Sequence, residues 1–109
     1  DAIRFQIKPD CIRENPALAL GGVTIHWLVE AARSIRILSR RFRNISSPVL
    51  LVAPEKETVV DGQASVTLAE QLSTGRVLPI ADSKHEVLFE TDRVRAQFWK
   101  GADAFLEET

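Results

Sequence analysis

The fold is decided by the apolar run Pro48-Val-Leu-Leu-Val-Ala53, which has no polar side chain. A short continuous run of this kind is typical of a parallel strand that is buried on both faces. A second run of the same length follows, Arg76-Val-Leu-Pro-Ile-Ala81. Because Pro79 has no backbone N–H to donate, we expect the second strand to lie at or near an edge of the sheet.

The segment between the two runs predicts a helix over residues 63–73. Ala64, Leu68 and Leu72 are spaced by four, so they share one helix face, and Gly75 is expected to end the unit. A strand, a helix and a second strand in this order build a parallel pair with a right-handed crossover. The sequence therefore predicts an α/β fold.

Helices are also predicted on both sides of this unit. Upstream, residues 23–42 carry an apolar stripe, after a first 21 residues that we interpret as loop and short helix. Downstream, Thr91 is the expected N-cap of a helix that runs to about Leu106. The residues expected to be buried on that last helix are Val94, Phe98, Ala102 and Phe105.

Composition excludes several classes of protein. The chain has 109 residues, 45% of them hydrophobic, and a formal net charge of −1, which argues against a general polyanion or nucleic-acid binder. Its one cysteine, Cys11, excludes an internal disulfide framework, and no Cys/His spacing resembles a metal site. No apolar run approaches the length of a membrane span. We expect neither a cofactor nor a metal.

The chemically interesting residues follow the two predicted strands. Glu57 lies in the loop after the first, and His85 lies in the loop after the second. Loops at the carboxyl ends of parallel strands emerge at one edge of the sheet, so these side chains are expected to meet there. The seven serines all lack the G-x-S-x-G turn that presents a serine nucleophile. The pattern is that of an acid and a base without their nucleophile.

Three stretches resemble the C-terminal part of the lysophospholipase and monoacylglycerol-lipase branch of the α/β-hydrolases. They are Gly21-Gly-Val-Thr-Ile-His-Trp27, similar to part of a cap, Pro48 to Asp61, like a strand and acid loop, and Ala81 to Asp92, like a histidine loop. The resemblance implies a C-terminal fragment of the fold, with a cap-like helix before strand–helix–strand–helix. It divides the chain into a cap segment and connecting helix (1–45) and the last strands and helices of the hydrolase domain (46–109).

The resemblance also implies roles for residues. His85 matches the family's catalytic histidine, and Glu57 matches the triad acid, with Asp61 as the alternative acid if the loop is offset. His26 and Trp27 are candidate substrate-binding residues at the cap entrance, or else they pack their helix on the sheet domain. The arginines between Arg33 and Arg43 either attract lipid head groups or form a solvated face.

The implied parent protein is a serine ester hydrolase acting on a lysophospholipid or monoacyl ester. This chain alone is expected to be inactive and to need a partner, either the N-terminal part of the same protein or a second copy that completes the sheet. The expected location is the cytoplasm, with peripheral contact to the inner membrane. The alternatives are a hydrolase of another ester or amide class, and a small non-catalytic α/β interaction module.

Overall fold

The computed structural model describes all of residues 1–109, which form two compact units, Asp1–Phe42 and Arg43–Thr109. The first unit contains α1 (Ala2–Glu14) and α2 (Ile25–Arg41). The second contains β1 (Val49–Pro54), α3 (Gly62–Glu70), β2 (Gly75–Ile80) and α4 (Asp92–Glu107). None of these helices has the length and apolar character needed to cross a membrane.

The first unit is helical from its first residues, which the sequence did not predict. Helix α1 has 13 residues, not the loop and short helix expected, although Pro9 lies inside it. The Asp1 carboxylate caps the helix by accepting hydrogen bonds from the backbone N–H groups of Ile3 and Arg4. Capping of this kind stabilises the helix, which has no apolar stripe from which the sequence could have predicted it.

Helix α2 confirms the helix predicted over residues 23–42. It begins after Thr24, whose hydroxyl accepts a hydrogen bond from the Trp27 N–H at 3.1 Å. Arg40 and Arg41 occupy its last turn, where cations suit the helix dipole. Its apolar stripe is less buried than the periodicity suggested, since Leu28 and Ile35 are both exposed and Phe42, just beyond the helix, is buried.

The second unit is organised around a parallel pair of strands. β1 and β2 form a two-stranded sheet in which Val49 lies opposite Gly75 and Pro54 opposite Ile80. The α/β class and the order strand, helix, strand, helix are therefore confirmed. Pro79 is tolerated because each strand of a two-stranded sheet has one edge without a neighbour.

Packing against this sheet fixes the position of both helices. Ile80, Ala69 and Val94, from β2, α3 and α4, are the buried apolar residues of the second unit. At Gly101 of α4 an added Cβ would lie 2.4 Å from a methyl carbon of Leu78, so the missing side chain lets α4 approach β2 closely.

Three local expectations were wrong. β1 is half-buried along its whole length rather than buried on both faces, because it has a neighbouring strand on one side only. α3 ends at Glu70, before the expected Ser73, and the N–H of Leu72 turns back to the Ala69 carbonyl. Gly75 does not end the helical unit but begins β2.

Candidate active site

The acid loop, residues 55–61, is tied to the sheet where it leaves β1. The N–H of Glu55 donates to the Ile80 carbonyl at 3.0 Å, and the N–H of Lys56 donates to the Ser83 carbonyl at 2.8 Å. The loop ends at Asp61, which caps α3 by accepting from the Ala64 N–H at 3.0 Å. Glu57 thus lies in a short segment that is anchored at both ends.

The histidine loop, residues 81–90, follows β2 and is anchored in the same way. Asp82 has φ of 59°, in the left-handed region, and its N–H donates to the Glu55 carboxylate at 3.0 Å. Ser83 is fully buried. The N–H of Lys84 donates to the Glu90 carboxylate at 3.0 Å, which fixes the peptide next to His85.

The two loops bring the predicted acid and base together. His85 Nδ1 lies 2.7 Å from Glu57 Oε2. The other carboxylate oxygen, Oε1, accepts from the N–H groups of Val59 at 2.6 Å and Val60 at 3.3 Å. The Glu57 side chain is only 8% exposed, whereas the His85 side chain is 45% exposed. The carboxylate is therefore held from both sides, and the imidazole keeps access to the surface.

These contacts settle the charge of the acid. The hydrogen bond to His85, followed by the Val59 N–H, lowers the pKa of Glu57 to about 2. An ionised carboxylate only accepts hydrogen bonds, so the neutral imidazole carries its proton on Nδ1 and directs it at Glu57. Nε2 is then the unprotonated nitrogen, which is the form a general base needs to accept a proton from a hydroxyl.

A cavity of about 920 Å³ adjoins this pair, and both Glu57 and His85 line it. Much of the rest of its wall is apolar. The two loops themselves contribute apolar side chains to it, among them Val60, Leu88 and Phe89. The cavity also runs along Leu51–Pro54 of β1, so it lies at the carboxyl end of the strands, where α/β proteins place their ligands.

The remaining candidate residues make other contacts. Asp61, the alternative acid, caps α3, while Glu57 contacts His85. His26 and Trp27 lie in the first turn of α2, in the first unit, and Trp27 is exposed. Their role in substrate binding stays a prediction. Nowhere do three or more His, Cys, Asp or Glu side chains converge in a way that could hold a metal ion.

The sequence did not reveal a cluster of charges beside the pair. The Asp82 carboxylate receives Lys56 Nζ at 2.8 Å and an Arg93 guanidinium nitrogen at 2.8 Å. These bonds, with the Lys56 bond as the larger cause, lower the pKa of Asp82 to about 2, and they raise the pKa of Lys56. A small polar residue just after a predicted strand was the only available signal, since Asp tolerates the left-handed region better than most residues.

Comparison with known proteins agrees with the geometry. Residues 4–92 match the family model described as serine aminopeptidase S33, an α/β-hydrolase family. The chain is 37% identical over 94 residues to the probable lysophospholipase L2 of Haemophilus influenzae, covering 86% of this chain and 30% of that protein. It is 30% identical over 90 residues to lysophospholipase L2 of Escherichia coli K12, covering 76% of this chain and 26% of that protein.

The chain spans less than a third of the length of these relatives. No solved structure gives a significant match. The family model nevertheless covers most of the 109 residues, and the fold places an acid and a histidine at the carboxyl ends of two parallel strands. On this evidence the chain belongs to the serine aminopeptidase S33 family of α/β-hydrolases.

Proposed function

We propose that this chain supplies the acid and the base of a serine ester hydrolase that acts on lysophospholipids. In this proposal Glu57 is the triad acid, His85 is the general base, and the nucleophilic serine lies in another part of the same protein. The single observation that carries the proposal is the 2.7 Å contact between His85 Nδ1 and Glu57 Oε2.

The chemistry follows from the orientation of the imidazole. Nε2 takes the proton of the serine hydroxyl as the oxygen attacks the ester carbonyl, and later returns it to the leaving alcohol. Glu57 stays ionised throughout, so it fixes the Nδ1–H tautomer and stabilises the imidazolium that forms. Without the nucleophile this machinery has nothing to activate, and for that reason the isolated chain is proposed to be inactive.

Two observations support a lipid ester as the substrate. The relatives at 37% and 30% identity are named lysophospholipases. The cavity beside the pair is largely apolar, as a site for an acyl chain must be. Cytoplasmic location with peripheral contact to the inner membrane, and the contribution of His26 and Trp27 to the substrate entrance, belong to the same proposal.

The test uses the complete polypeptide that carries this segment, with release of fatty acid from a monoacyl phospholipid as the measurement. His85→Ala is expected to lower kcat by up to roughly 10⁶-fold. Glu57→Gln is expected to lower it by roughly 10⁴-fold, because the glutamine no longer fixes the tautomer as a carboxylate does.

Asp61→Asn is the matched control, because asparagine caps a helix as well as aspartate does. It should keep the parent rate within a small factor. A rate lost with Asp61→Asn and kept with Glu57→Gln would assign the acid to Asp61 instead. Full activity of His85→Ala would overturn the proposal.

A hydrolase of amides is the second candidate, favoured by the description of the matching family as a serine aminopeptidase. The same variants should be assayed on an aminoacyl anilide. One possible outcome is that the parent hydrolyses the anilide but not the monoacyl phospholipid, and that His85→Ala hydrolyses neither. That result would keep the roles of Glu57 and His85 and would change the proposed substrate from an ester to an amide.

A further inference from the structure

Asp82 joins three parts of the second unit through one carboxylate. Its Oδ1 lies 2.8 Å from Lys56 Nζ, in the acid loop, and its Oδ2 lies 2.8 Å from a guanidinium nitrogen of Arg93, in α4. Lys56 directly precedes Glu57, and Asp82 lies three positions before His85. The bridge therefore links the chain just before the proposed acid to the chain just before the proposed base.

We propose that Asp82 is a positioning residue, which holds the acid loop and the histidine loop at the separation that keeps Glu57 and His85 in hydrogen-bond contact. This inference rests on the proposed function of that pair. Asp82 itself makes no hydrogen bond to Glu57 or His85 and acts only through the two loops, so it is not a catalytic residue in this proposal.

The backbone of Asp82 supports the same interpretation. Its φ of 59° lies in a region that residues with a side chain seldom occupy, and it is the only non-glycine residue of the chain with a positive φ. That conformation aims the N–H at Glu55 and the carboxylate at Lys56 and Arg93. A glycine would adopt it at lower cost, so a carboxylate at this position is explained by what it binds.

Overall stability does not explain the bridge. Lys56, Asp82 and Arg93 have side chains that are 58%, 45% and 72% exposed, and exposed ion pairs contribute little to the free energy of unfolding. The rate of a catalysed reaction depends far more strongly on the position of the catalytic pair, since a displacement of about 1 Å can lower the rate roughly 10²-fold. The predicted effect is therefore on turnover rather than on folding.

The test compares Asp82→Gly, Asp82→Asn, Lys56→Met and Lys56→Arg in the complete polypeptide. Asp82→Gly keeps the freedom to adopt positive φ and removes the carboxylate, and Asp82→Asn keeps the shape and removes the charge. Both, and Lys56→Met, are expected to lower kcat by roughly 10- to 100-fold, with KM changed less than about twofold. Lys56→Arg keeps a cation within reach of Asp82 and should therefore retain most of the parent kcat.

Further readouts separate positioning from folding. The thermal midpoint of each variant should stay close to that of the parent, and the double variant Lys56→Met with Asp82→Asn should be no slower than the worse single variant, because both changes break one bridge. A full parent kcat in Asp82→Gly would overturn the proposal. So would a rise in KM with an unchanged kcat, or a loss of rate that tracks a loss of folded protein in Lys56→Met, whose side chain is exposed.

His85→Ala, measured alongside, separates this proposal from the proposed function. Activity lost in His85→Ala and kept in Asp82→Gly would reject only the positioning role. Activity kept in His85→Ala would reject the catalytic assignment of the pair, and the positioning role with it.

Discussion

At the residue scale, the Glu57 carboxylate is determined by its immediate contacts. One oxygen faces His85, and the other receives the N–H groups of Val59 and Val60. Hydrogen bonds to a carboxylate favour its charged form, which explains why the pKa of Glu57 falls to about 2 even though partial burial acts in the opposite direction. The Glu57 carboxylate is therefore ionised at neutral pH.

This lowered pKa makes a prediction about pH and stability. In the unfolded chain the pKa of Glu57 is near its ordinary value of 4.5, and in the folded chain it is about 2, so between those values the unfolded state binds more protons. The stability that Glu57 contributes is complete above about pH 4.5 and is lost as the pH falls through about 2. A ¹³C NMR titration of the Glu57 carboxyl should give a midpoint near 2.

The control is His85→Ala, which removes the largest cause of the shift. The midpoint of Glu57 should then rise toward 4.5 without reaching it, because the Val59 and Val60 N–H groups remain. A parent midpoint near 4.5 would mean that the pair is not formed in solution.

At the element scale, the passage from α3 to β2 is very tight. An added Cβ at Gly75 would lie 2.2 Å from the Ala69 carbonyl oxygen and 2.9 Å from Leu72 Cβ. Neither atom can move without shifting the end of α3, which in turn packs on both strands. The glycine is required at this position because the backbones approach closely, and β2 carries the histidine loop at its other end.

We therefore expect Gly75→Ala to destabilise the chain by about 1–3 kcal/mol, the usual cost of forcing extra volume into a packed site. Urea denaturation followed by circular dichroism would measure it. Gly22→Ala is the matched control, since an added Cβ there meets nothing within 4 Å, and it should leave the free energy of unfolding nearly unchanged. Equal midpoints for the two variants would contradict the close approach at Gly75.

At the scale of the whole molecule, the sheet has only two strands, and one edge of β1 has no neighbouring strand. β1 pairs with β2 on one side only, and the backbone N–H groups of Val49 and Glu55 point toward β2 and its flanking residues. Because donors alternate along a strand, the N–H groups of Leu50 and Val52 point to the opposite edge. An unpaired edge of this kind is a template for a further strand.

Amide hydrogen exchange can test whether the outer edge of β1 is unpaired. In the isolated chain the amides of Leu50 and Val52 should exchange fast, and those of Leu51 and Ala53, which face β2, should exchange slowly. If the rest of the polypeptide supplies a strand beside β1, as the proposed function implies, all four amides should be protected in the complete polypeptide. Slow exchange at Leu50 and Val52 in an isolated chain that elutes as a monomer would show that β1 needs no further strand.

The sequence by itself determined the local patterns of this protein. Two largely apolar runs of six residues predicted the two strands, and spacing by four predicted α3. The positions of Glu57 and His85 after those strands predicted that both lie at one edge of a parallel sheet. The sequence pattern did not predict helix α1, because this helix has no apolar stripe and is stabilised by the Asp1 cap. Local patterns show only what neighbours in the chain dictate.

Only the tertiary structure decided which acid meets the histidine and what surrounds the pair. Glu57 and Asp61 are both acidic residues of one loop, and the difference is that Asp61 caps α3 whereas Glu57 reaches Nδ1 across the gap between the loops. The Lys56–Asp82–Arg93 cluster joins residues that are far apart in the chain, so no spacing rule reveals it. The physical reason is that hydrogen bonds and ion pairs act over about 3 Å in space, whatever the separation in sequence.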